Sequence, residues 1–211
     1  MATFTNSNRY EMNQDEYITI ERESEGVYKE SGSRFLSLCY PVSNVESAME
    51  IIAGLKKKYH DATHHCYAYR IGKNGETYRI NDDGEPSSTA GRPIYNEILS
   101  AGVSDILVVV VRWFGGVKLG VPGLIRAYKS AAKEAIANAT KKVKTATLQI
   151  KITFEYQDTE VIMKALKRLG GEIVKKSFES QCMIEADLPI SQLETIKKML
   201  NLHSIEIDRL N

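Results

Sequence analysis

Three histidines and a cysteine lie close together in one short segment of the sequence. Residues 60–66 contain His60, His64, His65 and Cys66, and imidazole and thiolate groups are zinc ligands. His65 and Cys66 are adjacent and begin a predicted strand, so their side chains point to opposite faces. The sequence offers no second cluster of such ligands. We therefore expect a structural role for these residues and no metal site.

A second segment combines carboxylates with hydroxyl groups. Its six polar residues are Asp82, Asp83, Glu85, Ser87, Ser88 and Thr89. A hydrolase can be sketched in which the carboxylates bind a divalent ion, or a hydroxyl nucleophile is activated by His64 or His65. The same composition is typical of an ordered surface loop with Asx-type turns and a proline-fixed bend. We expect no catalytic residues and no cofactor, and we keep a hydrolase centred on His64, His65, Asp82 and Asp83 as an alternative.

A glycine-rich turn is the third candidate site. Gly115, Gly116 and Gly120 follow a β-branched run and precede a predicted helix, and Lys118 lies among them. Unpaired backbone N–H groups at the positive end of a helix dipole can hold an anion such as phosphate. The segment matches neither a P-loop nor G-x-G-x-x-G, so close packing of strand against helix remains the other interpretation.

Basic residues gather around this turn. Residues 112–144 contain eight basic side chains and the single acid Glu134, a local charge of +7, although the whole chain has 28 basic and 27 acidic residues. Arg126, Lys129 and Lys133 are spaced three and four apart, which places them on one face of a helix. We predict a nucleic-acid-binding ridge formed by Arg112, Lys118, Arg126, Lys129 and Lys133. The alternative is a solvated charged face.

Periodicity indicates the elements that position these residues. Predicted for the first part are strands at 17–21 and 33–41, a helix at 43–58, a hairpin at 66–80, a loop at 82–93, a helix at 94–100, a buried central strand at 106–111 and a helix at 122–141. The pattern restarts after a charged joint at 141–145, and the order β-α-β-β-α-β over about 65 residues is typical of a ferredoxin-like arrangement. We therefore predict an α+β fold with two domains, residues 1–143 and 144–211.

Composition excludes several classes of protein. With 43% hydrophobic and 26% charged residues, the chain is neither a disordered tail nor a collagen-like repeat nor a coiled-coil rod. Three widely separated cysteines favour reduced thiols. Neither a signal peptide nor an apolar membrane span is evident, so we expect a cytoplasmic protein without a membrane partner.

Three long motifs, taken together, resemble the IMPACT family in its bacterial two-domain form, the YigZ type. They occupy residues 60–72, 82–91 and 109–128, in the family's order. Trp113 stands where tyrosine is common, and Val121-Pro122 where small residues are common, but neither change removes a charge or the glycine turn. The resemblance covers about residues 20–140, and the β-α-β-β-α-β tail looks like the family's small C-terminal domain.

The resemblance implies a role linked to translation. The family's first domain is similar to domain IV of elongation factor G and to the second domain of a small-subunit ribosomal protein, and its second domain is similar to domain V of that factor. Eukaryotic members bind an activator of a starvation-sensing kinase and relieve translational repression. The family supplies no agreed catalytic residues.

Two main hypotheses follow from the residues and the resemblance. The first is a non-catalytic protein that docks on RNA or the ribosome through the basic ridge and the glycine turn. The second is a protein-binding adaptor that regulates translation under stress. In the adaptor, four residues of the loop would contact a partner protein: Asp82, Asp83, Glu85 and Arg92.

Overall fold

The computed structural model describes residues 13–179, 181–200 and 206–210. They form two compact units: one consists of residues 17–144, and the other of residues 13–16 together with the described residues from 145 onward. Residues 13–16 were predicted to belong to the first domain, whereas in the structure they group with the second unit. The reason is hydrogen bonding: the Asp15 carbonyl accepts from the Ala146 amide at 2.8 Å, and its carboxylate accepts from the Ser191 amide at 3.1 Å.

The elements up to residue 145 follow one another as strands with three interspersed helices. They are β1 (Glu16–Ile20), β2 (Ser24–Glu30), β3 (Ser33–Pro41), α1 (Val45–Lys58), β4 (His64–Ile71), β5 (Thr77–Asn81), α2 (Gly91–Ser100), β6 (Ile106–Trp113), α3 (Gly120–Ala137) and β7 (Lys141–Thr145). The helix predicted from residue 43 begins at Val45, because the Asn44 side chain accepts from the Ser47 amide at 2.8 Å and caps it. The strands β2 and β7 were not predicted, and residues 141–145 of β7 were expected to be a charged joint.

An antiparallel sheet of order β2-β3-β6-β4-β5 is the centre of the first unit. β1 pairs with β7 in a separate two-stranded sheet. The predicted burial of β6 on both faces is confirmed, since Val108 and Val110 pack with α2 and α3 while Val109 and Val111 pack with α1. The strand β6 therefore fixes where the glycine turn and α3 begin.

The second unit has its own sheet and core. Its elements are β8 (Thr147–Phe154), α4 (Thr159–Arg168), β9 (Glu172–Phe178), β10 (Cys182–Pro189), α5 (Leu193–Leu200) and β11 (Glu206–Leu210), in an antiparallel sheet of order β11-β8-β10-β9. The predicted element order is thus present. Alternate residues of β8, such as Ile150 and Ile152, are fully buried with Ile162 and Ile196 of the two helices. None of the helices described in either unit has the length and apolar character needed to cross a bilayer.

Candidate nucleic-acid interface and the polar cluster beneath it

The glycine turn between β6 and α3 is exposed but firmly anchored. The Phe114 amide donates to Thr63 Oγ1 and the Gly115 amide donates to Ser33 Oγ, each at 3.2 Å. Gly115 lies directly against Gly32, so a Cβ at position 115 would clash with the Gly32 carbonyl group. Gly116 has φ +87°, a left-handed conformation that side chains rarely adopt. Gly115 and Gly116 are therefore required by the backbone conformation of the turn.

The first turn of α3 has features of the predicted anion-binding turn. It has no side-chain cap hydrogen bond and no acidic residue. Gly120 opens it with φ +67°, and Lys118 is exposed two residues earlier. Amide groups and a cation at the positive end of a helix dipole favour a negative ligand.

Four of the five predicted ridge residues are exposed on the turn and on α3. These residues, Lys118, Arg126, Lys129 and Lys133, are called the basic surface below. Arg126 Nη2 lies 2.8 Å from Glu30 Oε1, and Lys129 Nζ lies 3.8 Å from Glu97 Oε1, although the Arg126 and Lys129 side chains stay 62% and 60% exposed. Neighbouring carboxylates thus offset part of the positive charge without covering it.

Arg112 is not part of this surface, which corrects the sequence prediction. It is 5% exposed, and its guanidinium donates to Glu85 Oε1 and to Ser33 Oγ. The cause is strand alternation: Arg112 lies on the same face of β6 as Val110, the face that packs beneath α3.

Glu85 is the centre of a buried polar cluster beneath the turn. Besides the Arg112 guanidinium, Glu85 Oε1 accepts the Tyr128 hydroxyl at 2.7 Å, and Cys66 Sγ lies 3.3 Å from that hydroxyl. Burial raises the pKa of both the Cys66 thiol and the Tyr128 hydroxyl, so both stay protonated. A protonated, buried thiol is a poor nucleophile.

The other loop carboxylates also turn inward. Asp82 accepts from the amides of Ser88, Ala90 and Gly91 at 2.8–3.0 Å, so it organises the loop and the start of α2. Glu85 is 9% exposed. The prediction that Glu85 itself contacts a partner is therefore corrected, whereas Asp82 is half-buried and its contact with a partner stays a prediction.

Asp83 and Arg92 are the remaining residues of the predicted partner-binding loop. Burial opposes ionisation of Asp83, but the Lys56 ammonium and the His65 amide, each 2.7 Å away, outweigh it and lower the pKa of the carboxyl. Arg92 is exposed.

The histidines are held by the same loop. His64 Nδ1 lies 2.8 Å from the Asp83 carbonyl, whereas His65 Nε2 is buried and has no hydrogen-bond partner. Burial lowers the pKa of His65 and favours the neutral ring. The structure thus brings together the four residues of the hydrolase alternative. However, the Asp82 carboxylate already accepts hydrogen bonds from backbone amides, and the Asp83 carboxylate accepts from Lys56 and the His65 amide. Within the described ranges, no three His, Cys, Asp or Glu side chains are placed to hold a metal ion.

Sequence reasoning missed the apolar side chains that the turn and α3 expose. Phe114, Val117, Val121 and Ile125 are 48%, 56%, 51% and 39% exposed. Three of them, Phe114, Val117 and Val121, each stand next to a glycine in the sequence, and a glycine has no side chain to cover its neighbour.

The basic surface and the polar cluster lie in a segment that matches a known protein family. Residues 31–136, about half of the chain, match the Impact N-terminal domain. The chain belongs to the IMPACT family. This confirms the resemblance seen in the sequence motifs, and the IMPACT match includes the basic surface, the glycine turn and the loop with Asp82.

Individual members of the IMPACT family extend the comparison. The chain is 30% identical over 163 residues to IMPACT family member YigZ of Escherichia coli, covering 76% of this chain and 80% of that protein. It is 42% identical over 120 residues to IMPACT family member YvyE of Bacillus subtilis, covering 57% and 55%. A crystal structure of a hypothetical protein superposes with a TM-score of 0.72 and 25% identity, covering 94% of this chain and 99% of that one. The similarity therefore extends over both units.

Proposed function

We propose that this IMPACT family protein is a non-catalytic, translation-linked binding protein that docks on RNA, most directly on the ribosome, through its basic surface. The observation that carries this proposal is the exposure of Lys118, Arg126, Lys129 and Lys133 on one helix and the turn that precedes it. Lysine and arginine side chains that neutralise phosphates dominate the affinity of proteins for nucleic acid.

The carboxylates near the basic surface do not argue against phosphate binding. The pairs of Arg126 with Glu30 and of Lys129 with Glu97 involve largely exposed cations. Exposed ion pairs are weak and are screened by salt, so a polyanion can compete for both cations. The glycine turn supports the proposal, because a phosphate could also accept from the amides at the start of α3.

The second unit supports the choice of the ribosome. We propose that its sheet of order β11-β8-β10-β9, with α4 and α5 packed on it, is ferredoxin-like and comparable with domain V of elongation factor G. The first unit would then correspond to domain IV. A pair of domains of this kind suits a binding site built of ribosomal RNA.

The salt dependence of RNA binding tests the proposal. The logarithm of the affinity should fall with the logarithm of salt concentration, with a slope of roughly −0.7 to −0.9 per phosphate contacted. Replacing Lys129 and Lys133 by Ala should flatten that slope by about two units. The matched control is Lys164→Ala with Arg168→Ala, which removes the same charge at the same spacing from α4 of the second unit and should leave the slope unchanged. Salt-independent binding, or none at low salt, contradicts the proposal.

One observation favours a protein-binding adaptor as a second candidate. In the loop before α2, Asp83 and Ser88 have φ of +42° and +64°, which side chains rarely adopt, and the Asp82 carboxylate accepts from the amides of Ser88 and Ala90 and holds this strained backbone. Pro86, Ser87 and Ser88 are exposed. A fixed, exposed loop is suited to recognition.

Nuclease treatment separates the two candidates. Capture of a partner protein that survives nuclease and is lost when residues 86–88 are replaced favours the adaptor. Capture that nuclease abolishes favours the RNA-binding protein.

A further inference from the structure

Phe114 is a half-exposed aromatic ring on a rigid support. It directly follows β6, 48% of it is exposed, and its amide donates to Thr63 Oγ1 at 3.2 Å. The next residue, Gly115, is fixed both by Ser33 Oγ and by its close packing against Gly32. A ring held in this way loses little conformational entropy when it binds a ligand.

A buried guanidinium backs this ring. The Arg112 guanidinium carbon lies 5.7 Å from the centroid of the Phe114 ring and 5.3 Å from that of Phe35, which is fully buried. Glu85 and Ser33 hold Arg112 in place. The Arg112 guanidinium thus contacts a buried ring, Phe35, and an exposed ring, Phe114. The exposed part of the Phe114 ring is available to a flat ligand.

In the part of the chain that the structure describes, the other exposed aromatic rings already stack or pack with a second ring. Tyr78 is stacked on Tyr95 with centroids 5.1 Å apart, and Tyr156 contacts Phe178 at 6.4 Å. Phe114 instead contacts Arg112 and stands four residues before Lys118 of the basic surface. An exposed ring next to cations is the combination that binds unpaired bases and their phosphates.

On the basis of the RNA-binding function proposed above, we infer that Phe114 is a stacking platform for an unpaired base of single-stranded RNA. Bases in an RNA duplex present no free face to a protein side chain, so the ring selects single strands, loops or ends. The basic surface contacts the phosphates on either side of the stacked base.

Fluorescence anisotropy with two RNA probes tests this inference. The probes are a labelled oligouridylate, which forms no duplex, and a fully paired RNA duplex of the same length. Phe114→Ala should weaken oligouridylate binding on the order of 10- to 100-fold without changing its salt slope, because stacking is not ionic. Binding of the duplex should not change.

Two substitutions at the same position separate stacking from apolar contact and from misfolding. Phe114→Leu keeps apolar bulk without a flat π face and should lose affinity as Phe114→Ala does, whereas Phe114→Trp should retain it. Phe178→Ala, which removes a similarly exposed ring from the second unit, is the matched control and should leave both affinities unchanged. Thermal unfolding of each variant identifies any loss that comes from instability, and affinity is then compared among the variants that unfold like the wild type.

The outcomes distinguish this inference from the proposed function. A wild-type protein that binds neither probe at low salt contradicts both. Oligouridylate binding that Phe114→Ala leaves intact, or that Phe114→Leu retains, overturns the stacking inference alone. A nuclease-resistant protein partner that is lost with Phe114→Ala, while oligouridylate binding stays unchanged, assigns the ring to a protein contact and also overturns it.

Discussion

At the scale of single residues, Arg112 was predicted to lie on the basic surface, but it is buried beneath the glycine turn and pairs with Glu85. The position of Arg112 in a basic stretch predicts an exposed cation. Strand alternation alone would have placed it with Val108 and Val110, on the face covered by α3. The identity of its partner could not be predicted, since Glu85 reaches it from a loop 27 positions away. The exposed positions of Lys129 and Lys133, by contrast, follow from helical spacing.

The buried pair of Glu85 and Arg112 predicts a large stability effect. Glu85→Gln should lower the free energy of unfolding by about 3–5 kcal/mol, because it leaves a buried guanidinium without its counter-charge. Glu85→Leu combined with Arg112→Met removes both charges, so its free energy of unfolding should fall by less than that of Glu85→Gln. Urea unfolding measures both. Glu160→Gln, which breaks a fully exposed pair with Lys164, is the control. A Glu85→Gln protein as stable as this control contradicts the prediction.

Asp105 predicts a pH dependence of stability. Burial opposes its ionisation, but the Lys144 ammonium, the Tyr17 hydroxyl and the Gly72 amide outweigh it and lower the pKa of the carboxyl. Ionised Asp105 therefore stabilises the fold above the unfolded-chain pKa of about 3.9, and this contribution is lost as pH falls through the lower folded-state pKa. Asp105→Asn should destabilise the protein at neutral pH, and the difference from wild type should narrow in acid. Urea unfolding at a series of pH values checks this, and a difference that stays constant contradicts it.

At the scale of elements, the spacing of hydrophobic residues predicted a strand or helix correctly where the burial of the element follows one regular pattern along its length. The β-branched run of β6 and the alternation of β8 give both strands directly. β2 was missed because three of its seven residues are charged and because it contains Gly26. The structure explains that glycine: a Cβ there would lie 2.6 Å from the Ala135 amide nitrogen of α3. Such an approach depends on a helix more than a hundred residues away, so local sequence does not report it.

Two glycines in different elements should respond oppositely to the same substitution. Gly54 is exposed inside α1, and a methyl group added there would meet no atom within 4 Å, so Gly54→Ala should raise the free energy of unfolding by about 1 kcal/mol through helix propensity. Gly115→Ala should lower it by about 1–3 kcal/mol, because the methyl group pushes the glycine turn away from Gly32. Chemical unfolding compares the two variants. A stabilising Gly115→Ala would show that the turn yields easily and is not rigidly held.

At the scale of the whole molecule, the near balance of charges conceals an uneven distribution between the units. Residues 17–144 contain 18 basic and 14 acidic side chains, whereas residues 145–211 contain nine and ten. The excess of positive charge therefore lies in the first unit, which also contains the basic surface and the glycine turn. Each unit has its own apolar core, and a domain with its own core is expected to fold alone.

A shortened chain tests this division of roles. Residues 13–145, which retain all of β1 and β7, should unfold in one cooperative transition. They should bind RNA with the same salt slope as the full chain, because the cations proposed to contact phosphates are retained. Anisotropy titrations at several salt concentrations measure the slope, and calorimetry measures the transition. A slope reduced by about one unit or more would mean that cations of the second unit contact phosphates as well, and the basic surface would then be only part of the interface. An unchanged slope with weaker binding to intact ribosomes would instead give the second unit a contact that is not ionic, consistent with its balanced charge.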